Sequence, residues 1–350
     1  MAPWGWGGPA AIHQQWSGAV AINSVGVIGG GAWGTALAQT MALAGRDVVL
    51  WAYEADTVKE INEQHTNRIF LPGVRLREAI RATVALQDIA ACDVILLVSP
   101  AQHLRATAGQ LAKVLQTSKP VVICAKGIEQ ASGKLLGEVL AEELPAALPA
   151  VVSGPSFAAD VARGLPAALT IACADEALGQ ELAEGLGYRQ FRLYWSSDMT
   201  GTLLGGAVKN VLAIAAGIVD GKDLGASAHA ALVTRGFSEL RRFGAELGAR
   251  SETMMGLSGL GDLLLTCSSR QSRNMSLGRA LGQGQNLQAI LGARQAVTEG
   301  VFTVSAVIRI AGERNIEMPI AAAVDGIVQG NVSVDDAIEG LLSRPLRAED

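Results

Sequence analysis

The segment Ser24 to Gly45, SVGVIGGGAWGTALAQTMALAG, constrains this chain more than any other, because three spaced glycines join an apolar strand to a helix. Gly29 permits a tight bend, Gly31 lets the backbone approach a pyrophosphate, and Gly34 lets helix and strand pack closely. The helix that follows offers unpaired N–H groups to phosphate oxygens. The next β-rich run, DVVLWAY, ends at Tyr53-Glu54, about 20 residues past Gly34, where an acidic group accepts hydrogen bonds from an adenosine ribose. Glu54 would repel a 2'-phosphate, whereas Tyr53 can stack on adenine whether or not that phosphate is present, so NAD and NADP both remain open.

From Ser24 to about Ser196, eight β-rich runs alternate with helical stretches: SVGVIG, DVVLWAY, ATVAL, DVILLVSP, PVVICAKG, AVVSGP, AALTIA and FRLYW. This rhythm predicts an α/β fold with a Rossmann-like, doubly wound sheet. Runs such as DVILLVSP are apolar at successive positions, as expected of parallel mid-sheet strands covered on both faces. Beyond Asp198 the strand signals stop and helical periodicity continues nearly to the C-terminus. The expected organisation is an arm over residues 1–22, a dinucleotide-binding domain over 23–197, and an all-helical substrate and catalytic domain over 198–350. No Pro/Ser-rich linker separates the halves, so close packing is expected.

A 350-residue chain with 49% hydrophobic residues fills two cores. Its 28 basic and 33 acidic residues give a net charge of -5, with no polybasic run, so nucleic acid is not an expected partner. Cys92, Cys124, Cys173 and Cys267 form no CxxC pair and read as buried small hydrophobes in a reducing compartment. Residues 1–22 carry Trp4, Trp6 and Trp16 without the pattern of a signal peptide. That segment reads either as an arm docking on the domain or a partner subunit, or as a start-site artefact. Met199–Val219 has the length of a membrane span, but a lysine at the bilayer centre costs on the order of 2.5–3.5 kcal/mol. Its glycines and alanines offset little of that, so the segment is expected to be a buried helix rather than a transmembrane one.

The histidines, His13, His65, His103 and His229, share no metal-ligand spacing and read as surface or structural residues; no metal is called for. Lys209 lies in the most apolar helix, with Gly205, Gly206 and Ala213 on its face. Two readings compete: an acid–base lysine with substrate room beside it and a pKa lowered by burial, or a lysine that snorkels to the surface. Lys126 follows the strand PVVICA, at the end of a sheet where open α/β folds bind ligands. The turn Ser153-Gly154-Pro155-Ser156-Phe157 opens another helix whose amides could receive a substrate oxygen. In GLSGLGDLLLTCSSRQSRN, Asp262 and Thr266 share one helical face, ahead of Arg273 and Asn274. Arginine suits a phosphate dianion and Asp262 could orient Lys209 or a hydroxyl, while ordinary capping and surface charge account for the same residues equally.

Taken in order, GVIGGGAWGTALA, AKGIE, SGPSFAADVARGLP, GGAVKNVLAIAAGIVDG, LVTRG, GLSGLGDLLLTC and SRN resemble the NAD(P)-dependent glycerol-3-phosphate dehydrogenases of bacterial type. The resemblance spans Val25 to about Ile320. It implies reversible reduction of dihydroxyacetone phosphate to sn-glycerol 3-phosphate for glycerophospholipid synthesis, by a cytoplasmic enzyme expected to be a homodimer. It implies Lys209 as proton donor and acceptor, Lys126 contacting substrate and cofactor, and Asp262 in the catalytic set. Gly154, Ser156, Asp262, Ser272, Arg273 and Asn274 would line the substrate pocket, with Thr266 in support. Trp33, Tyr53, Ala158, Arg273, Val297 and Glu299 would complete the cofactor site.

Three positions depart from the family pattern: Ala32 where Ser is frequent, Ser227 where Asn is common, and His229 where Arg is frequent. Ala32 removes one hydroxyl beside the pyrophosphate, a modest loss because backbone amides carry most of that contact. The other two bear on the pocket rim. Rival expectations are a β-hydroxyacid or 6-phosphogluconate type dehydrogenase, and a regulator that binds NAD(P) without turning it over.

Overall fold

The computed structural model describes residues 22–293 and 297–345, so Trp4, Trp6 and Trp16 lie outside the described residues. The eight β-rich runs become eight strands of one sheet: β1 Ser24–Ile28, β2 Asp47–Trp51, β3 Ile80–Thr83, β4 Val94–Leu97, β5 Lys119–Ile123, β6 Ala147–Ser153, β7 Ala167–Ala172 and β8 Phe191–Ser196. Their order is β3-β2-β1-β4-β5-β6-β7-β8. β4 sits between β1 and β5, parallel to both. Side chains alternate across the sheet, so Val94 and Leu96 enter one apolar layer while Ile95 and Leu97 enter the other. That two-sided burial is why the run is apolar throughout.

The helices between the strands are α1 Ala32–Leu43, α2 Ala55–Gln64, α3 Leu86–Ala90, α4 Leu104–Ala112, α5 Leu136–Glu143, α6 Ala158–Ala162 and α7 Glu176–Leu186. One pairing departs from an all-parallel sheet, because β7 runs antiparallel to β6. The helix between them, α6, has five residues and packs on α1, and the chain then re-enters the sheet beside β6 in the opposite direction.

After β8 the described residues are helical: α8 Met199–Gly221, α9 Gly225–Glu246, α10 Ser251–Met255, α11 Asp262–Ser268, α12 Arg273–Gly282, α13 Leu287–Gly292, α14 Glu299–Glu313, α15 Pro319–Val328 and α16 Val334–Leu342. A π-helical turn, Leu257–Gly261, runs into α11. Asp198 caps α8 by accepting from the Gly201 amide at 2.8 Å, and its other oxygen accepts from Arg250 N. α8 is long and apolar enough to cross a membrane, yet its apolar window is entirely buried within the protein. It is the axis of the second core, and α12 packs on it backbone to backbone. A Cβ on Gly217 would stand 2.0 Å from Met275 O, and one on Gly278 would stand 1.9 Å from Ile214 O. All four cysteines are free and buried.

Candidate active site

Adjacent strands β1, β4, β5 and β6 end on one edge of the sheet, where the order reverses on either side of β1, the place at which open α/β sheets hold ligands. Each glycine of the first turn has a distinct constraint. Gly29 has φ +130 and lies against the Val98 backbone, while a Cβ on Gly34 would stand 1.9 Å from Gly29 O. Gly31 faces open space, with nothing within 4 Å of a built Cβ. α1 starts at Gly31 without a side-chain cap, so its first amides remain available to an anion. Asn67, which the sequence does not single out, braces the turn by donating to Gly30 O and Thr35 Oγ1, both at 2.8 Å. Trp33 packs on the core with its indole N–H buried and unpartnered. Tyr53 and Glu54 follow β2 on the exposed surface, and Glu54, the N-cap residue of α2, makes no capping hydrogen bond with its side chain.

Around Lys209 the helical half closes on these strand ends. The Lys209 side chain is only 7% exposed and its ammonium donates to Asp262 Oδ1 and, at 2.8 Å, to Thr266 Oγ1. This excludes the snorkelling alternative. Thr266 in turn donates to Asp262 O at 2.6 Å, so the two residues one turn apart on α11 hold the amine together. The second Asp262 oxygen accepts from Lys126 at 2.7 Å, and Lys126 also donates to Gly154 O at 3.0 Å. One fully buried carboxylate therefore bridges two ammonium groups. Burial lowers the Lys209 pKa to about 7, with Lys126 adding to the fall and Asp262 opposing it.

The bare face of α8 is not room for substrate, contrary to the sequence expectation. A Cβ on Gly205 would stand 2.3 Å from Ser258 O, and one on Gly206 would stand 2.7 Å from Ser153 Oγ and 3.3 Å from Lys126 Cγ. Those glycines admit protein backbone and the Lys126 stem, and so bring the two lysines together.

The rim residues divide by what already holds them. Gly154 has φ +150 with Leu169 packed against it, and its carbonyl accepts from both Lys126 and Ser156. Ala158 opens the short α6, which packs on α1. Ser272 caps α12 by accepting from Met275 N. Arg273, the first residue of α12, is exposed, while Asn274 is buried and joins Asn210 Oδ1 to Gly300 N. Asn210 was not anticipated, although it is the neighbour of Lys209 in GGAVKN. Val297 is half-buried just before α14. Glu299 accepts from Ala101 N at 3.1 Å, and its second oxygen is buried without a partner. Burial raises the Glu299 pKa against that hydrogen bond and the charge of Arg273. Ala32 is the first residue of α1 and Ser227 is exposed near the start of α9, while His229 Nε2 donates to Cys267 O at 2.9 Å.

Residues 24–179 match the family model for the NAD-dependent glycerol-3-phosphate dehydrogenase N-terminus, and residues 198–339 match the model for its C-terminus. The chain belongs to the NAD-dependent glycerol-3-phosphate dehydrogenase family. Among its relatives is a glycerol-3-phosphate dehydrogenase [NAD(P)+] of Parvibaculum lavamentivorans, 58% identical over 94% of this chain and 99% of the relative. Another, of Caulobacter vibrioides, carries the same name and is 56% identical over 94% of this chain and 99% of its own length. The crystal structure of a glycerol-3-phosphate dehydrogenase from Coxiella burnetii superposes with a TM-score of 0.88 at 37% identity, covering 92% of this chain and 99% of that one. The glycine-rich turn fits a glycerol-3-phosphate dehydrogenase dinucleotide: the space before Gly31 is open, the α1 amides are uncapped, and Trp33 Nε1 and Glu299 Oε2 lack protein partners.

Proposed function

We propose that this chain interconverts dihydroxyacetone phosphate and sn-glycerol 3-phosphate with NAD(H) or NADP(H), and that Lys209 exchanges the proton on the substrate C2 oxygen. The observation that carries the assignment is a buried ammonium, shared between Asp262 and Thr266, at the strand-end edge that holds the glycine-rich turn. The dinucleotide, when bound, supplies the hydride for reduction and takes it up in oxidation. Gly29, Gly31, Ala32, Trp33 and Gly34 would hold its pyrophosphate end, Tyr53 and Glu54 its adenosine, and Ala158, Val297 and Glu299 the remainder, with Lys126 and Arg273 at the boundary with substrate.

In reduction Lys209 gives its proton to the oxygen on which negative charge develops. A lysine with a pKa of about 7 is close to the optimum for that task near neutral pH. Asp262 keeps the amine oriented, and Lys126, on the other carboxylate oxygen, adds positive charge beside the developing alkoxide. Arg273, exposed at the start of α12, carries the planar guanidinium that suits a phosphate dianion and would grip it. Gly154, Ser156, Ser272, Asn274 and Thr266 complete the substrate wall.

The functional division falls at residues 23–197 and 198–350, and a cytoplasmic homodimer supplying glycerophospholipid synthesis accords with this chemistry. The test is oxidation of NADH and of NADPH by dihydroxyacetone phosphate, with a β-hydroxyacid substrate pair and 6-phosphogluconate in parallel. Turnover of dihydroxyacetone phosphate alone is expected. Turnover of one of the others, or of none, would remove the assignment.

A further inference from the structure

We infer that Gln102, Arg105 and Glu129 form a positioning device that sets Lys126 on Asp262 from outside the pocket. The inference rests on the role proposed above for Lys126. Lys126 stands on the loop between β5 and α5, residues 124–135, and a lysine side chain carries about 2 kcal/mol of rotamer entropy. Its ammonium keeps both partners, Asp262 Oδ2 and Gly154 O, only if the loop backbone beneath it is fixed.

The fixing groups come from the segment after β4. Gln102 reads the loop with both ends of its amide, donating to Ile128 O and accepting from Gln130 N, each at 2.9 Å. Arg105, on α4, grips the Glu129 carboxylate in bidentate fashion, at 2.8 and 2.9 Å. Glu129 is 7% exposed, an unusual burial for a loop carboxylate, and Ser132 Oγ donates to it as well.

From the opposite side Gly127 packs against Ala101, Thr303 and Glu299, Ile128 enters the core of the helical half, and Arg309 donates to Gln130 O. The loop is thus held between the short 3-10 turn Ala101–His103 with α4 on one side and α14 on the other. Glu129 is three residues from Lys126, within about 10 Å of chain. Without Arg105, Glu129 and Glu143 would lose the guanidinium that pairs them while Glu142 kept Lys134, and the loop, with Lys126, would lose its anchor to α4.

The groups facing Lys209 among the described residues are Asp262, Thr266 and Cys267 from α11 and Lys126 from this loop. Withdrawing the positive charge of Lys126 therefore raises the Lys209 pKa, and reduction, which needs the protonated amine, would persist to higher pH.

The experiment compares full-length Arg105→Ala, Gln102→Leu, Lys126→Met and Glu143→Gln enzymes in four readouts: kcat/KM for dihydroxyacetone phosphate, its pH profile, dinucleotide affinity by fluorescence, and Tm. Arg105→Ala and Gln102→Leu should lower kcat/KM about 10- to 100-fold, as a small misplacement of a working group does. They should move the falling limb of reduction upward in pH, as Lys126→Met does, and lower dinucleotide affinity no more than Lys126→Met does. Glu143→Gln, which breaks an Arg105 pair without touching the loop, should show none of these changes. If Arg105→Ala does not fold, Gln102→Leu, which removes only two neutral hydrogen bonds, decides the matter. Loss of Tm with kcat/KM and the pH limb unmoved would overturn the positioning role. Impairment of Lys126→Met alone would overturn this inference and leave the reading of Lys126 intact, whereas an unimpaired Lys126→Met would remove both.

Discussion

Replacing Asp262 by asparagine should displace the titration of the reaction centre along the pH axis. The carboxylate is fully buried, with one oxygen on Lys209 and the other 2.7 Å from Lys126. Asparagine keeps the shape and one acceptor, but it removes the only anion between two ammonium groups in this arrangement. At 4 Å and an effective dielectric of about 20, that attraction is worth about 4 kcal/mol, or about three pKa units. Lys209 already titrates near 7 because burial outweighs the pull of Asp262. The variant's amine should therefore titrate well below 7, with Lys126 now opposing its charge unrelieved.

The sign follows from which form works. Reduction needs the protonated amine and fails as pH rises through its pKa, so the falling limb should move from about 7 towards acid by about three units at the full Coulomb value and by at least about one after relaxation. Oxidation needs the neutral amine and should be the less affected direction at alkaline pH. Initial rates in both directions across the pH range are the assay, with Tm measured alongside because breaking a buried pair costs about 3–5 kcal/mol. A uniform loss at every pH, with the limb where the unaltered enzyme has it, would refute the argument that Asp262 acts by setting the charge state of Lys209.

Lys209→Met should reduce kcat by about 10²- to 10⁴-fold with little loss of Tm, since Asp262 retains Lys126 and a buried ammonium is replaced by an apolar stem; undiminished kcat would exclude the proton role. Arg273→Ala should raise KM for dihydroxyacetone phosphate much more than for a substrate lacking the phosphate, and an equal effect on both would deny Arg273 the phosphate. Glu239, 2% exposed, caps the start of α15 by accepting from Ile320 and Ala321 N, and burial raises its pKa to about 7. The native state then holds a proton that the unfolded chain releases near 4.5, so stability falls as pH rises from about 4.5 to about 7, by about 3 kcal/mol in total. Glu239→Gln should flatten that slope in denaturant titrations, and an unchanged slope would mean that another group causes it.

What the sequence disclosed were residues at odds with their own neighbourhood. Gly29 and Gly34 were legible because a bend and a close helix–strand contact are local demands that a Cβ would defeat. Lys209 was legible because an ammonium in an otherwise apolar helix must find a partner. The identity of the partner is less so: orienting Lys209 is one of two roles the sequence leaves open to Asp262, and nothing in it marks the bridging of a second lysine. The misreading of Gly205 and Gly206 has the same origin, because a small side chain marks a close approach without saying whether ligand or backbone approaches. The unforeseen contacts join residues distant in the chain: Glu299 with Ala101 across 198 positions, Asn274 with Asn210 across 64, and Arg105 with Glu129 across 24. Each partner is unremarkable where it stands, since an arginine on a helix or a glutamate in a loop is ordinarily solvated. The meeting of the two halves sets Glu299 against Ala101 and Gly127, while Glu129 is held within the first half by Arg105 and Ser132. The chemistry of this site is therefore written locally, in a few anomalous residues, while its geometry is set by long-range pairs that have no local anomaly to betray them.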